Sequence, residues 1–286
     1  MAHRFIAVVS AQAVLDLAEQ GLALARSGRR AIADRVARGR SPTADLDLAD
    51  LAVIRAELDQ EDATHELASA RVALSVLWGE TQPGFERAAG RLEDLPRVAT
   101  FEALADRLPS TPDQQAFALE RGQIEAQQRV ASAAARPDLH TTIGVRHLES
   151  IDDQALVFSL SIMPLGASKR SSLVMDKHKA EAERLDARQA ITSLDAYQLF
   201  FARYQELEHA RHEVETLRGR MIPLAERTLA SAEQGYEEAR FSFLQVTQAQ
   251  ALTLDLERDA IDAAARYHHL LADIERATAV SGETTP

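Results

Sequence analysis

Residues 171–236 read SSLVMDKHKAEAERLDARQAITSLDAYQLFFARYQELEHARHEVETLRGRMIPLAERTLASAEQGY and hold one proline, Pro223. The residue types that dominate this stretch, chiefly Ala, Leu, Glu, Arg and Gln, have high helix propensity. At 1.5 Å per residue an uninterrupted helix of this length extends roughly 100 Å, whereas a helix in a globular protein averages ~12 residues. The stretch therefore predicts a rod that is broken only mildly at Pro223.

A second helix is expected to run back along this rod. The chain turns within residues 235–242, and a helical pattern then continues over 243–279. The start of the chain has the same plan, with one helix up to about Arg38 and another over 44–77. Each half of the chain therefore predicts a long antiparallel helical hairpin.

The two predicted hairpins align without gaps at an offset of 200 residues. Laying 1–77 over 201–277 superimposes Gly39 on Ala239 and Arg40 on Arg240. Identities are few, so the matched order of helix, tip and return helix carries the repeat. A strand hairpin and about thirty helical residues precede the second copy, and repeat symmetry predicts the same before the first. We therefore expect an N-terminally truncated chain of one and a half repeats.

A different pattern lies between the two hairpins. In two runs of about ten residues, apolar side chains occupy every second position, which is typical of β-strands. The second run places Leu156, Phe158, Leu160 and Ile162 on one face. A tilted hairpin of this length can cross a bilayer with that face in lipid. The same pattern fits a hairpin packed on a soluble helical core, and the residues alone leave both open.

The predicted fold class is mainly α, with long coiled-coil-like helical hairpins and one membrane-type β-hairpin. The turn at the first tip suits its residues, because Gly39 can adopt the left-handed cap conformation and Ser41 or Thr43 can cap the next helix. We divide the chain into a first-repeat hairpin, a connection with a helix, a strand hairpin, a second-repeat hairpin and a tail, at 1–78, 79–135, 136–166, 167–280 and 281–286.

Composition excludes several functions. The chain has a net charge of -12 and no basic patch, which argues against nucleic-acid binding, and it has no cysteine. No run of about 18 apolar residues is evident, so no membrane-spanning helix is expected. The nine histidines lack the partners of a metal site. Phosphate-loop and nucleophile motifs are also missing, so we expect neither an enzyme nor a cofactor.

Three groups of residues carry a resemblance to a known family. They are 135–139 (ARPDL) with 144–146 (GVR), 153–156 (DQAL) with 161–165 (SIMPL), and 222–226 (IPLAE) with 235–236 (GY) and 249–250 (AQ). In these stretches the chain resembles the TolC-like outer-membrane efflux proteins, and among them the heavy-metal, CzcC-like branch. The resemblance spans nearly the whole chain, although the family's signal peptide, first strand hairpin and start of its first long helix have no counterpart.

The resemblance implies an assembly. In that family three protomers build one tube, a twelve-stranded outer-membrane barrel that continues as a helical barrel through the periplasm. It further implies a periplasmic adaptor protein that meets the helix tips and an inner-membrane efflux pump behind it. Such a homotrimer fits helices whose near-heptad apolar residues, Leu51, Ile54 and Leu58, need neighbours to be buried.

Site residues follow from the same resemblance. The residues at the matching tips are expected to dock the adaptor or gate the pore, or else only to turn the chain: Arg38, Gly39, Arg40, Ser41, Pro42, Gly235, Tyr236 and Arg240. Asp45 matches a family position whose carboxylates ring the aperture and attract cations. The repeat-related positions carry Gln245 and Gln248, so a second acidic ring is not expected.

The function expected from these residues is passive export. The chain would form the outer-membrane channel of a tripartite pump for metal cations or small toxic compounds, extending through the periplasm. Two alternatives stay open, a soluble coiled-coil scaffold or interaction protein and a non-functional truncated remnant.

Overall fold

The computed structural model describes residues 1–134, 136, 139–148, 153–162 and 167–279. The predicted tail 281–286, the polar turn 149–152 and the motif residues 163–165 lie outside them. Seven α-helices and two strands follow one another along the described chain: α1 Ala2–Ala37, α2 Thr43–Ser75, α3 Phe101–Ala105, α4 Pro112–Ala134, β1 Leu139–Leu148, β2 Asp153–Ile162, α5 Ala167–Thr216, α6 Ile222–Glu237 and α7 Phe243–Ala277.

The mainly α fold with one strand hairpin is confirmed. Contacts divide the chain into two compact units, which are described separately. The first unit comprises Met1–Phe101 and Phe200–Ala277, and therefore holds both helix tips. The second comprises Glu102–Leu199 and the residues from Thr278 onward.

The core of the first unit lies where α1 packs against α2 and against α7. The face of α7 that meets the core carries small residues, and Ala260, Ala263 and Ala264 are almost completely buried. Small side chains let helix backbones approach closely, so larger residues such as Val9 and Val214 fill the space around them. The two helical hairpins therefore share one core.

The segment 79–100 is fastened to this core by hydrogen bonds to its backbone. The Gln12 amide donates to the Ala88 carbonyl at 3.1 Å and accepts from the Ala88 N–H at 2.7 Å. The Tyr267 hydroxyl donates to the Pro96 carbonyl, and His268 Nε2 lies 3.1 Å from the Leu92 carbonyl. An irregular segment needs such partners, because its backbone groups have no ladder of their own.

The long helix changes its winding just before Pro223. Residues Leu217–Met221 form one π-helical turn between α5 and α6. Proline has no backbone N–H and its ring clashes with the carbonyl four residues earlier, so a wider turn at this point lets the helix continue. The mild break expected at Pro223 is therefore a single π-helical turn that precedes the proline.

In the second unit, α4 packs along the first part of α5. Arg121 pairs with Asp186 and Arg188 with Glu120, so ion pairs of opposite direction link the two helices. The guanidinium of Arg188 also lies over the ring of Phe117, 5.7 Å from its centroid. The paired side chains are exposed, so each ion pair contributes at most about 1 kcal/mol to the free energy of unfolding.

The strands β1 and β2 pair antiparallel, with Phe158 opposite Ile143 and Ile162 opposite Leu139. This register places the apolar positions of both strands on one face, as the alternating pattern predicts.

One described helix passes the length and composition test for a membrane-spanning helix, although the sequence pattern predicts none. Among the described residues α1 is long and apolar enough to cross a membrane, with a mean hydropathy of 1.3 over an 18-residue window. However, Val8, Val9, Ala11 and Val14 are buried against the rest of the first unit. The core helix of a soluble structure passes the same test, and the sequence rule missed α1 because small and polar residues interrupt its apolar positions.

Gly235 supplies a test of the packing at the second tip. A Cβ at this buried position would overlap the ring of Phe241. We expect Gly235→Ala to lower the free energy of unfolding by about 1–3 kcal/mol, as overpacking does. The control is Gly28→Ala, in helix α1 with open space around it, which should raise stability by about 0.5–1 kcal/mol. Denaturant titration of both variants measures the difference, and equal stabilities would contradict the packing.

Candidate functional site

The two helix tips have the same backbone structure at an offset of 200 residues. After α1 the N–H groups of Gly39 and Arg40 donate to the carbonyls of Val36 and Arg35, at 2.9 and 2.8 Å. After α6 the N–H groups of Ala239 and Arg240 donate to Tyr236 and Gly235, at 3.0 and 2.8 Å. This pair of bonds is the Schellman motif, which needs a left-handed residue.

That left-handed position is filled differently in the two tips. Gly39 has a φ of 66° and Ala239 a φ of 58°. Glycine adopts this conformation freely, whereas an alanine there is strained by its Cβ. The strain at Ala239 shows that the surrounding structure holds the second tip in the same turn as the first.

A side-chain contact joins the two tips. The hydroxyls of Ser41 and Tyr236 are 2.8 Å apart, so residues 195 positions apart in sequence share one hydrogen bond. The guanidinium of Arg35 lies over the Tyr236 ring at 4.5 Å from its centroid. The ring of Phe243 lies 5.7 Å from the same ring. We call these four residues the tip latch.

The remaining tip residues divide by exposure. Arg38, Arg40 and Pro42 of the first tip are exposed, and so is Arg240 of the second tip, which pairs with Glu238 at 2.5 Å. Gly235 and Tyr236 lie in the last turn of α6, whereas the sequence suggested that the chain turns there already. Gly235 is buried, and its lack of a side chain leaves room for the ring of Phe241. This residue therefore serves the packing of the second tip.

Asp45 differs from its repeat partner in its local bonds. At the second tip Gln245 Oε1 accepts a hydrogen bond from the Ser242 N–H at 3.0 Å, which is one of the two bonds of a capping box at the start of α7. At the first tip the matching residue is Pro42, which has no N–H to offer Asp45. Among the described residues the Asp45 carboxylate has no hydrogen-bond or ion-pair partner, so its charge stays available at the tip.

The apolar face of the strand hairpin is open in this chain. The side chains of Leu156 and Phe158 are 78% and 64% exposed, and Leu160 and Ile162 are also exposed. Ile143 and Val145 of the neighbouring strand extend the same face and are exposed as well. The alternative in which this hairpin packs its apolar face on the chain's own helices is therefore not supported by the described residues.

The histidine contacts include one carboxylate partner and one stacked pair of histidines. His178 contacts Glu181 at 2.8 Å, and His269 lies against His3 with 2.9 Å between their Nδ1 atoms. Within the described ranges no group of three or more His, Asp or Glu residues is arranged to hold a metal ion.

The chain is similar in sequence to a curated resistance protein. Over 278 residues the chain is 30% identical to the cobalt-zinc-cadmium resistance protein CzcC of Cupriavidus metallidurans. The aligned part covers 96% of this chain, and the chain spans 63% of the length of CzcC. No family model matches the sequence.

Solved structures share the fold. The structure of CusC, a protein that folds to form a transmembrane channel, matches with a TM-score of 0.80 and 17% identity over 98% of this chain and 67% of CusC. The outer membrane protein VceC of Vibrio cholerae matches with a TM-score of 0.75 and 17% identity, over 97% of this chain and 68% of VceC. These matches confirm the mainly α fold with long helical hairpins and one strand hairpin that the sequence predicts.

The tip latch gives a prediction about coupling between the hairpins. Ser41→Ala and Tyr236→Phe each remove the shared hydrogen bond and should each cost about 0.5–1.5 kcal/mol of unfolding free energy. Because both remove the same bond, the double variant should lose roughly 1 kcal/mol less than the sum.

Ser231→Ala is the matched control for this cycle. The Ser231 hydroxyl donates to the Arg227 carbonyl of its own helix at 2.9 Å. Combined with Tyr236→Phe it should therefore give additive losses in a denaturant titration. Additive losses for Ser41→Ala with Tyr236→Phe would show that the latch does not couple the two hairpins.

Proposed function

We propose that this chain acts as the outer-membrane channel of a tripartite efflux pump, because it is similar in sequence to CzcC and in fold to CusC and VceC. It is a passive duct for metal cations or small toxic compounds, and no residue performs chemistry. The observation that carries the proposal is the 30% identity with a metal resistance protein along 96% of the chain. The name of that relative favours divalent metal cations as the cargo.

Exposed apolar residues on the helices support assembly as a homotrimer. Leu51 of α2 is 62% exposed, and Ile54 and Leu58 on the same face are also more than half exposed. Side chains at this near-heptad spacing pack well against a neighbouring helix. Sister chains would cover this face and close a tube around a central pore.

The exposed face of the strand hairpin supports insertion in the outer membrane. Edge strands in lipid need partners for every N–H and carbonyl group, and closure with sister chains supplies them. The helices then extend through the periplasm and present the tips to a periplasmic adaptor protein and an inner-membrane pump. The exposed arginines Arg38, Arg40 and Arg240 are the docking side chains, and the tip latch sets the opening.

Asp45 supplies the charge at the aperture. Its carboxylate has no partner in the part of the chain that the structure describes, and threefold symmetry would gather three such carboxylates around one axis. Like charges held close together attract cations into the opening. The alternative function, a soluble scaffold, does not explain why the apolar face of β1 and β2 is exposed.

Ion conductance tests the proposed channel. We expect the purified chain to form cation-selective channels in planar lipid bilayers, and Asp45→Asn to lower the ratio of cation to anion permeability at least twofold, because the ring of charge is lost. Asp47→Asn removes a nearby exposed carboxylate and should change the ratio less. If the chain yields no conductance steps, the channel function is wrong.

The strand hairpin supplies a second test, of membrane insertion. Phe158→Arg places a charge on the proposed lipid face, which costs about 2–4 kcal/mol at the middle of a bilayer. The neighbouring Ser159→Arg places the same charge on the opposite face, because side chains alternate along a strand. Floating the membranes on a density gradient should show Phe158→Arg depleted from the outer membrane and Ser159→Arg retained. Equal retention of the two variants would contradict the proposed orientation.

A further inference from the structure

The first unit contains a cavity of about 560 Å³ that the proposed function does not use. Its walls come from α1, the segment 87–93, the π-helical turn and α7. The volume falls within the roughly 300–1,000 Å³ of small-molecule sites. Apolar side chains including Val9, Leu17 and Ile261 line one part of it, and charged side chains line the rest.

The arginines in the cavity wall are already paired. Arg87 binds the Asp16 carboxylate with two hydrogen bonds, and Arg218 lies 2.9 Å from Glu93. Arg91 lies 3.8 Å from Glu93 and 3.9 Å from Asp94. Among the described residues none of these arginines forms a hydrogen bond or ion pair with Glu257, and the buried Nε of Arg218 has no partner.

Glu257 is a further acid of this cavity. It lines the cavity, is half-buried, and has no hydrogen-bond or ion-pair partner among the described residues. Burial raises the pKa of the Glu257 carboxyl, and the neighbouring Glu226 carboxylate raises it further. A carboxylate removed from water without a counter-charge is unfavourable, so a cation entering the cavity would be stabilised.

The repeat shows that this lack of a partner is particular to the second hairpin. The residues 200 positions earlier are Arg26 and Glu57, and they form an ion pair at 2.8 Å across the first hairpin. In the second hairpin the arginine is replaced by Glu226, so Glu257 faces a second carboxylate instead of a guanidinium. The same position therefore holds a satisfied pair in one hairpin and an uncompensated acid in the other.

We propose that this cavity is a binding site for a hydrophobic organic cation, with Glu257 as its counter-ion and the apolar wall as the contact for the ligand's hydrocarbon groups. The size of the cavity and its mixed lining favour an organic ligand over a bare metal ion. The Glu257 carboxylate, unpaired among the described residues, favours a cation over an anion. The site does not depend on the export function.

Two ions of matched shape and opposite charge test the site. Tetraphenylphosphonium and tetraphenylborate are each titrated into the purified full chain in nanodiscs of zwitterionic lipid. Calorimetry measures the heat of binding, and empty nanodiscs are the blank. We expect saturable binding of the phosphonium ion, and at least tenfold weaker binding of it to Glu257→Gln. The borate ion should show only the partition into lipid that the blank shows.

Two further variants separate the site from effects on folding. Glu226→Arg rebuilds the ion pair of the first hairpin around Glu257, so it should keep the fold and still weaken phosphonium binding at least tenfold. Glu57→Gln removes the equivalent acid of the first hairpin and should leave binding unchanged. Binding that is equal for the two probe ions, or unchanged in both Glu257→Gln and Glu226→Arg, would overturn the proposal. Conductance without phosphonium binding would overturn this site alone and leave the channel intact.

Discussion

The helices and strands of this chain cover only part of their own apolar surface. The other features of the structure depend on the apolar surface that stays uncovered. The core of the first unit is built by small residues of α7, such as Ala263 and Ala264, against α1. That core leaves Leu51 and its neighbours on α2 uncovered, and in the second unit Phe158 and its neighbours are uncovered too. Long helices and a two-stranded hairpin have too little surface to cover themselves, so in the proposed channel contact with sister chains and with lipid would complete the fold.

The two hairpins use one backbone plan for two purposes. Both tips close with the same pair of hydrogen bonds, so their side chains meet at fixed places. The first hairpin carries an ion pair between Arg26 and Glu57, and the second presents two carboxylates in its place. Similarly, the Gln245 side chain accepts a hydrogen bond from the Ser242 N–H. The residue that matches Ser242 in the first tip is Pro42, which has no N–H group for Asp45 to bind. The repeat therefore fixes geometry, and the differences between its copies supply the candidate sites.

Much of the fold could be predicted from the sequence, because it depends on local properties. Helix propensity located the helices to within a few residues, and strand alternation located β1 and β2 and their shared face. The tip latch could not be predicted in this way, since Ser41 and Tyr236 are far apart in the chain and the repeat aligns Tyr236 with Val36 rather than with its partner. The cavity was missed for the same reason, because its walls come from four separate segments. The one signal available was the change from Arg26 to Glu226 in the repeat.

The central claim is that these helices and this strand hairpin exist to line a pore shared with sister chains. Native mass spectrometry of the full chain extracted from membranes tests it most directly. The account predicts a trimer that needs detergent or lipid to stay in solution. A folded monomer that is stable in water without either, with Phe158 protected from solvent by its own helices, would contradict it.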